Sequence, residues 1–326
     1  MKKFLTAILL GASLFFGSTN VSASPAWTLP QSGLKPANSE KQKYISEVMD
    51  SILHPKDDSE EIPFEVPDGW SHEKFLIETL KVEVLENPSA QTDRVVLQLH
   101  GGGYIVGLND MYRDFAVKQS VLADAQKIFM VDYRIAPENP YPAALEDAAK
   151  VYREILSRGI SSEKIIVIGD SAGGHLALTL SLYLKEKNLP QPGVLILLSP
   201  LTTFETNLPS RTKNANRDAI LGKTNPVMYN MLQKPIYIGK IPLKDPRVSP
   251  IHADLKNLPP ILIQAGGYEV LLDENEIFAK NAAAADVEIT LTVYPEMSHC
   301  FSLLIPQLDE SVKSFAEIRD FINRHM

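Results

Sequence analysis

Ile165-Ile166-Val167-Ile168-Gly169-Asp170-Ser171-Ala172-Gly173-Gly174 is the stretch on which the reading of this chain turns. Residues 165–168 form a short, wholly apolar run, as expected of a central parallel strand buried on both faces. A Gly-x-Ser-x-Gly motif follows with no linker, and residues 172–187 read as helix. A serine on so sharp a strand-to-helix turn has strained backbone geometry and a hydroxyl lifted clear of the sheet. Gly169 and Gly173 leave room for the turn and for a substrate. The helix start brings a positive dipole end to the same place. The motif alone arises by chance; the strand before it and the helix after it make Ser171 a candidate nucleophile.

Outward from this point, apolar strand-like runs alternate with helical segments. Strands are expected over 80–85, 95–99, 128–132, 194–198, 261–264 and 289–294. Helices are expected over 111–125, 143–157, from about 273 and from about 308. Such alternation specifies an α/β fold: a mostly parallel sheet with helices on both faces. Residues 201–250 interrupt it with several prolines and a helical stretch near 227–232, an insertion of the length usually tied to function. Near the N-terminus an extended arm (27–36) precedes a helix from Asn38 or Ser39 to about Leu53, and residues 57–61 read as an acidic solvated loop. No internal repeat or low-complexity linker is present, so residues 24–326 are expected to form one domain.

His100-Gly101-Gly102-Gly103 follows the strand 95–99. Successive glycines can turn main-chain N–H groups toward one point, where they stabilise the negative oxygen of a tetrahedral intermediate. Each such donor contributes roughly 100- to 1,000-fold in rate. The expected donors are Gly101, Gly102 and Ala172, the residue after the nucleophile.

With this loop the chain resembles the hormone-sensitive lipase family of α/β-hydrolase esterases. The match rests on His100-Gly101-Gly102-Gly103-Tyr104 and Gly169-Asp170-Ser171-Ala172-Gly173-Gly174. Asp132-Tyr133-Arg134-Ile135-Ala136-Pro137-Glu138, Tyr141-Pro142-Ala143-Ala144-Leu145-Glu146-Asp147, Asp245-Pro246-Arg247-Val248-Ser249-Pro250 and Leu258-Pro259-Pro260 extend it in the right order. It runs from about Phe75 to the C-terminus. The resemblance implies an α/β-hydrolase fold, a helical cap built from about 38–60 and 201–250, small acyl esters as substrates, and no cofactor.

A serine hydroxyl needs a base, and imidazole, with an ordinary pKa near 6.5, suits the task. His299 follows the last strand and precedes the last helix, beyond a strand's C-terminal end where open α/β sheets hold their sites. It satisfies the chain order serine, acid, histidine. Its His-x-Phe context with Phe301 also resembles the family's. His100 is expected to orient the glycine loop and His175 to pack in the nucleophile helix. His54, His72, His252 and His325 have no supporting context. Cys300, beside the base, reads as a small packed side chain.

Two acids follow the strand 261–264: Glu269 and Asp273. The family usually has Asp at the first of these positions, whereas this chain has Glu; Ser-His-Glu triads do occur in this fold. Asp273 with Glu276 suits a helix N-terminal cap, which gives it a structural role. Glu269 is therefore the expected acid and Asp273 the alternative.

The chain has 326 residues, 44% of them hydrophobic, enough for a large core. Its formal charge of −8 makes nucleic acid an unsuitable partner. Lys2 and Lys3, the apolar run 4–16 and Val21-Ser22-Ala23 have the three-part layout of a secretory signal peptide cleaved near Ala23. The run is shorter than the roughly 20 residues a membrane span requires. Its loss takes two lysines and no acid, so the formal charge becomes −10. The expectation is an exported protein, periplasmic or secreted, with no membrane span after cleavage. With Cys300 as the only cysteine it has no internal disulfide. No metal-ligand spacing or nucleotide loop is present. The expected function is hydrolysis of short- to medium-chain acyl esters through an acyl-enzyme. A lactone or amide on the same triad, or a non-catalytic binder, are the alternatives.

Overall fold

The computed structural model describes residues 27–53 and 63–326. The expected signal segment, His54 and the acidic stretch 57–61 lie outside the described residues.

Helix α1 (Asn38–Leu53) is followed by strands β1 (Ser71–Ile77), β2 (Leu80–Glu86) and β3 (Val95–Leu99). Then come α2 (Asp110–Ala123), β4 (Lys127–Asp132), α3 (Ala143–Ser157), β5 (Ile165–Asp170), α4 (Ala172–Glu186) and β6 (Val194–Leu198). Two helices, α5 (Pro209–Lys213) and α6 (Pro226–Gln233), occupy the insertion. The chain ends with β7 (Ile261–Gly266), α7 (Leu272–Ala284), β8 (Ile289–Tyr294), the single turn α8 (Phe301–Leu304) and α9 (Asp309–His325).

The eight strands form one sheet in the order β1-β2-β4-β3-β5-β6-β7-β8. β1–β2 and β2–β4 are antiparallel, and every other pair is parallel. Every residue of β3, β5, β6 and β7 is buried. Strands covered by helices on both faces need no polar side, which is why their sequences are near-continuous apolar runs. Strand β1 escapes the sequence reading for the opposite reason. Its first four residues, Ser71-His72-Glu73-Lys74, are polar, and it is a mostly exposed edge with no apolar run to mark it. Helices α5 and α8 are too short to show a period.

Register decides where the chemistry can gather. Leu99 pairs with Gly169, Asp170 with Leu198, Leu198 with Gln264 and Gly266 with Tyr294. The C-terminal ends of β3, β5, β6, β7 and β8 are therefore level. The loops that leave them start at one edge of the sheet, where open α/β sheets bind their ligands. No helix among the described residues is long and apolar enough to cross a membrane.

Candidate active site

Ser171 sits between β5 and α4 with φ 52° and ψ −118°, a conformation that costs an L-residue about 1–3 kcal/mol. Three main-chain bonds hold it there. Its N–H donates to Leu198 O at 2.9 Å, and its carbonyl accepts from His175 N and Leu201 N, both at 3.1 Å. A Cβ on Gly173 would press into the carbonyl oxygens of Leu99 and His100, so only glycine lets the helix start this close to β3.

His299 lies on the turn between β8 and α8 and is buried. Its Nδ1–H donates to Glu269 Oε2 at 3.1 Å. Glu269 is fully buried on the turn after β7. Its Oε1 accepts from Ser199 Oγ at 2.7 Å and, in a very short bond, from Gly266 N. Ser199 also accepts the N–H of Cys300 at 3.0 Å, so one hydroxyl braces both the acid and the residue beside the base. Ser171 and His299 line the same chamber, and among the described residues neither Ser171 Oγ nor His299 Nε2 has a hydrogen-bond partner. Burial disfavours the imidazolium, but the Glu269 hydrogen bond and charge, with the charges of Asp218 and Asp170, outweigh it. The His299 pKa is raised above its ordinary 6.5.

Asp273, the alternative acid, is elsewhere engaged. It does not cap its own helix: α7 begins at Leu272 and its N-terminus has no side-chain cap. Asp273 Oδ2 instead accepts the N–H of Ser210, in the first turn of α5, at 2.7 Å, and Ser210 Oγ accepts Asp273 N–H at 3.2 Å. These bonds tie Asp273 to the first turn of α5 rather than to the start of its own helix. An asparagine keeps an acceptor for Ser210, so Asp273→Asn should cost no more than about 1 kcal/mol of stability and change kcat less than about threefold. Thermal melts and ester kinetics check this.

The glycine loop differs from expectation at one position. The N–H of Gly101 donates to Asp170 Oδ1 at 3.0 Å, so it is already spent inside the protein and does not face a substrate. Among the described residues no acceptor takes the N–H of Gly102, Gly103 or Ala172. Gly102 (φ 98°) and Gly103 (φ 62°) both hold left-handed conformations, and both line the chamber. Among the described residues Gly103, not Gly101, is therefore the glycine that leaves its N–H free beside that of Gly102. The physical reason is Asp170, whose buried carboxylate needs donors: it takes Gly101 N–H and, on Oδ2, Tyr112 OH at 2.9 Å. Burial still raises its pKa to about 6. Asp170 stood in the serine motif, yet nothing in the motif says its side chain turns away toward the glycine loop.

The other residues of the region support this frame. His100 donates through Nδ1 to Gly101 O at 2.9 Å and stacks on Tyr133 with 4.0 Å between ring centroids; burial lowers its pKa to about 4, so it is a neutral prop of the loop. His175 donates to Val248 O at 2.8 Å and accepts from Tyr104 OH at 2.5 Å, a polar role inside the nucleophile helix. Cys300 is buried, and burial with the nearby Asp170 carboxylate pushes its thiol well above the ordinary range, leaving no thiolate to compete with Ser171.

Two apolar chambers meet at Ser171, Gly103, Leu221 and Met228. One, about 510 Å³ with its mouth, is walled by Phe204, Met231, Leu232, Ile236 and Tyr237; all are from the insertion. The other, about 550 Å³ with its mouth, holds His299 and is walled by Val106, Met111, Ile220, Leu303 and Leu304.

Residues 96–303 match a family described as having the alpha/beta hydrolase fold. The chain is 35% identical over 235 residues to an esterase of Acinetobacter venetianus, covering 71% of this chain and 75% of that protein. It is 33% identical to an acetyl-hydrolase of Streptomyces hygroscopicus, covering 68% and 73%. Among solved structures, an esterase from the bacterial hormone-sensitive lipase family matches with a TM-score of 0.74 and 31% identity, covering 90% of this chain and 93% of that one. Matched along the strands, the serine turn and the loop that bears the histidine, the chain belongs to the α/β-hydrolase fold family, with esterases of the hormone-sensitive lipase group as its structural neighbours.

Proposed function

We propose that the chain is a serine carboxylesterase acting on short- to medium-chain acyl esters through Ser171, His299 and Glu269. The observation that carries this reading is the buried Glu269–His299 hydrogen bond, with His299 and Ser171 in one chamber. His299 Nε2 takes the proton of Ser171 as its Oγ attacks the ester carbonyl. Glu269 holds the imidazole and steadies the imidazolium. The N–H groups of Gly102, Gly103 and Ala172 receive the oxyanion. His299 then returns the proton to the departing alcohol, which places the alcohol in the His299 chamber and the acyl group in the other. Water repeats the cycle on the acyl-enzyme.

A p-nitrophenyl ester series tests this. Each methylene that enters the acyl chamber contributes at most about 0.8 kcal/mol, or roughly fourfold in kcat/KM. The rise should end at short to medium chains, where the acyl group reaches the side chains of Phe204, Leu232, Ile236 and Tyr237 that wall the chamber. A kcat/KM that keeps climbing to palmitoyl would refute the assignment of that chamber.

The pH profile follows from the base. Only neutral His299 can accept the proton, so kcat/KM falls as pH drops through its pKa. Because that pKa is raised, the acid limb should be centred above the 6.5 expected from a free imidazole. A profile flat through pH 5–8 would exclude His299 as the base. We also propose that the chain is exported after cleavage near Ala23, on the layout of its first residues. N-terminal sequencing of the mature protein checks the cleavage point.

A further inference from the structure

The turn that carries Glu269 is gripped by the insertion. Three buried residues of the insertion, spaced four apart, bond to its main chain. Ser210 Oγ donates to Val270 O at 2.9 Å. Asn214 Nδ2 donates to Glu269 O at 2.8 Å and to Gly267 O at 3.3 Å. Asp218 Oδ2 accepts Val270 N–H at 3.0 Å, while its Oδ1 accepts the N–H groups of Ile220 and Leu221, both at 3.0 Å. Ile220 and Leu221 line the chamber that holds Ser171 and His299. One carboxylate therefore joins the wall of the pocket to the peptide that follows Glu269.

We propose that Asp218 is a positioning residue for the reaction: it locks the insertion's pocket wall to the Glu269–Val270 peptide, and its charge supports His299 alongside Glu269. The proposal rests on the triad reading above.

Three N–H donors point at this fully buried carboxylate and no acceptor does. That arrangement favours the anion and works against burial, which raises the Asp218 pKa. Three carboxylates from three elements face His299: Glu269 from the turn after β7, Asp218 from the insertion and Asp170 from the end of β5. Removing one of them lowers the His299 pKa. A second link is independent of Asp218. Arg211 pairs with Glu274 at 2.5 Å, both buried, and Glu274 also accepts Thr202 N at 2.8 Å. The insertion is thus still anchored to α7 when Asp218 is changed.

The test compares wild type, Ser171→Ala, Asp218→Asn, Asp218→Glu and Asn214→Ala as full chains, with kcat, KM, pH profile and melting temperature on p-nitrophenyl butyrate. Asp218→Asn puts an amide N–H against a main-chain N–H, so kcat should fall at least about tenfold, and the acid limb should move to lower pH. Asn214→Ala removes the grip without a charge, so kcat should fall and the limb should stay. Wild-type kcat and an unmoved limb in Asp218→Asn would overturn the proposal, even with a lower melting temperature. If Asp218→Asn does not fold, Asp218→Glu keeps the charge and displaces it by one methylene. It should lower kcat with the limb in place, and a wild-type kcat there would overturn the proposal. Turnover that survives Ser171→Ala would instead bring down the triad reading, and the proposal with it.

Discussion

Ser171→Ala is expected to lower kcat by roughly 10⁵-fold or more while leaving the melting temperature within about 2 °C of wild type. The chemical half of this expectation is simple: without Oγ no acyl-enzyme forms. The residual rate would come from the chamber and the N–H groups of Gly102, Gly103 and Ala172, which still polarise a bound carbonyl. The stability half follows from the backbone. The strain at Ser171 is a property of its φ of 52° and its Cβ, and alanine keeps both. The bonds that hold the turn, to Leu198, His175 and Leu201, are main-chain bonds that a side-chain change does not touch. Glycine at the same position removes Cβ, so Ser171→Gly should be equally inactive yet more stable than Ser171→Ala by about 1 kcal/mol. Parallel esterase assays and melts of the two variants separate the effects. Substantial turnover in either would mean that another group attacks the ester.

The places of Ser171 and His299 at the sheet edge were legible because each carries its own context. Ser171 has a strand before it and a helix after it, and His299 has the last strand before it. Both are positions at which the chain must leave the sheet edge, and the sequence marks that edge by the end of an apolar run. Glu269 was legible for a related reason, since it lies on the turn after β7. What could not be read is which way a side chain or an N–H group points. Gly101 and Gly103 are identical residues in one loop; only the buried carboxylate of Asp170 decides that the first turns inward. Likewise Asp273 has the composition of a cap for its own helix, but the start of α7 at Leu272 places it past the cap position, and Ser210 from α5 captures it. Ser199 and Asp218 were missed altogether. Each acts on partners at least 50 residues away in sequence, Ser199 on Glu269 and Asp218 on Val270, and no local pattern encodes such a meeting. Strand β1 was missed because an edge strand needs no apolar run.

Glu269→Gln is expected to lower kcat by about 10⁴-fold, the cost of holding an imidazole in the wrong tautomer. The size follows from which oxygen can become nitrogen. Oε1 accepts from Gly266 N–H and from Ser199 Oγ. The main-chain donor cannot turn around, so the glutamine must keep its carbonyl oxygen there. Its NH₂ then occupies the Oε2 position, 3.1 Å from His299 Nδ1. A donor at that point requires Nδ1 to accept, which moves the ring proton to Nε2. Nε2 is the atom that must be unprotonated to activate Ser171, so the variant is well folded and has the wrong end of its base occupied. The same substitution removes the charge that does most to hold the His299 pKa above 6.5 against burial, so the remaining activity should also have its acid limb at lower pH. Asp273→Asn provides the contrast, because its partner Ser210 keeps an acceptor and His299 is untouched. A severe loss in Asp273→Asn beside a mild one in Glu269→Gln would assign the acid to Asp273. The reverse, with near wild-type melting in both, would leave Glu269 as the only carboxylate whose hydrogen-bonding polarity controls the proton on His299.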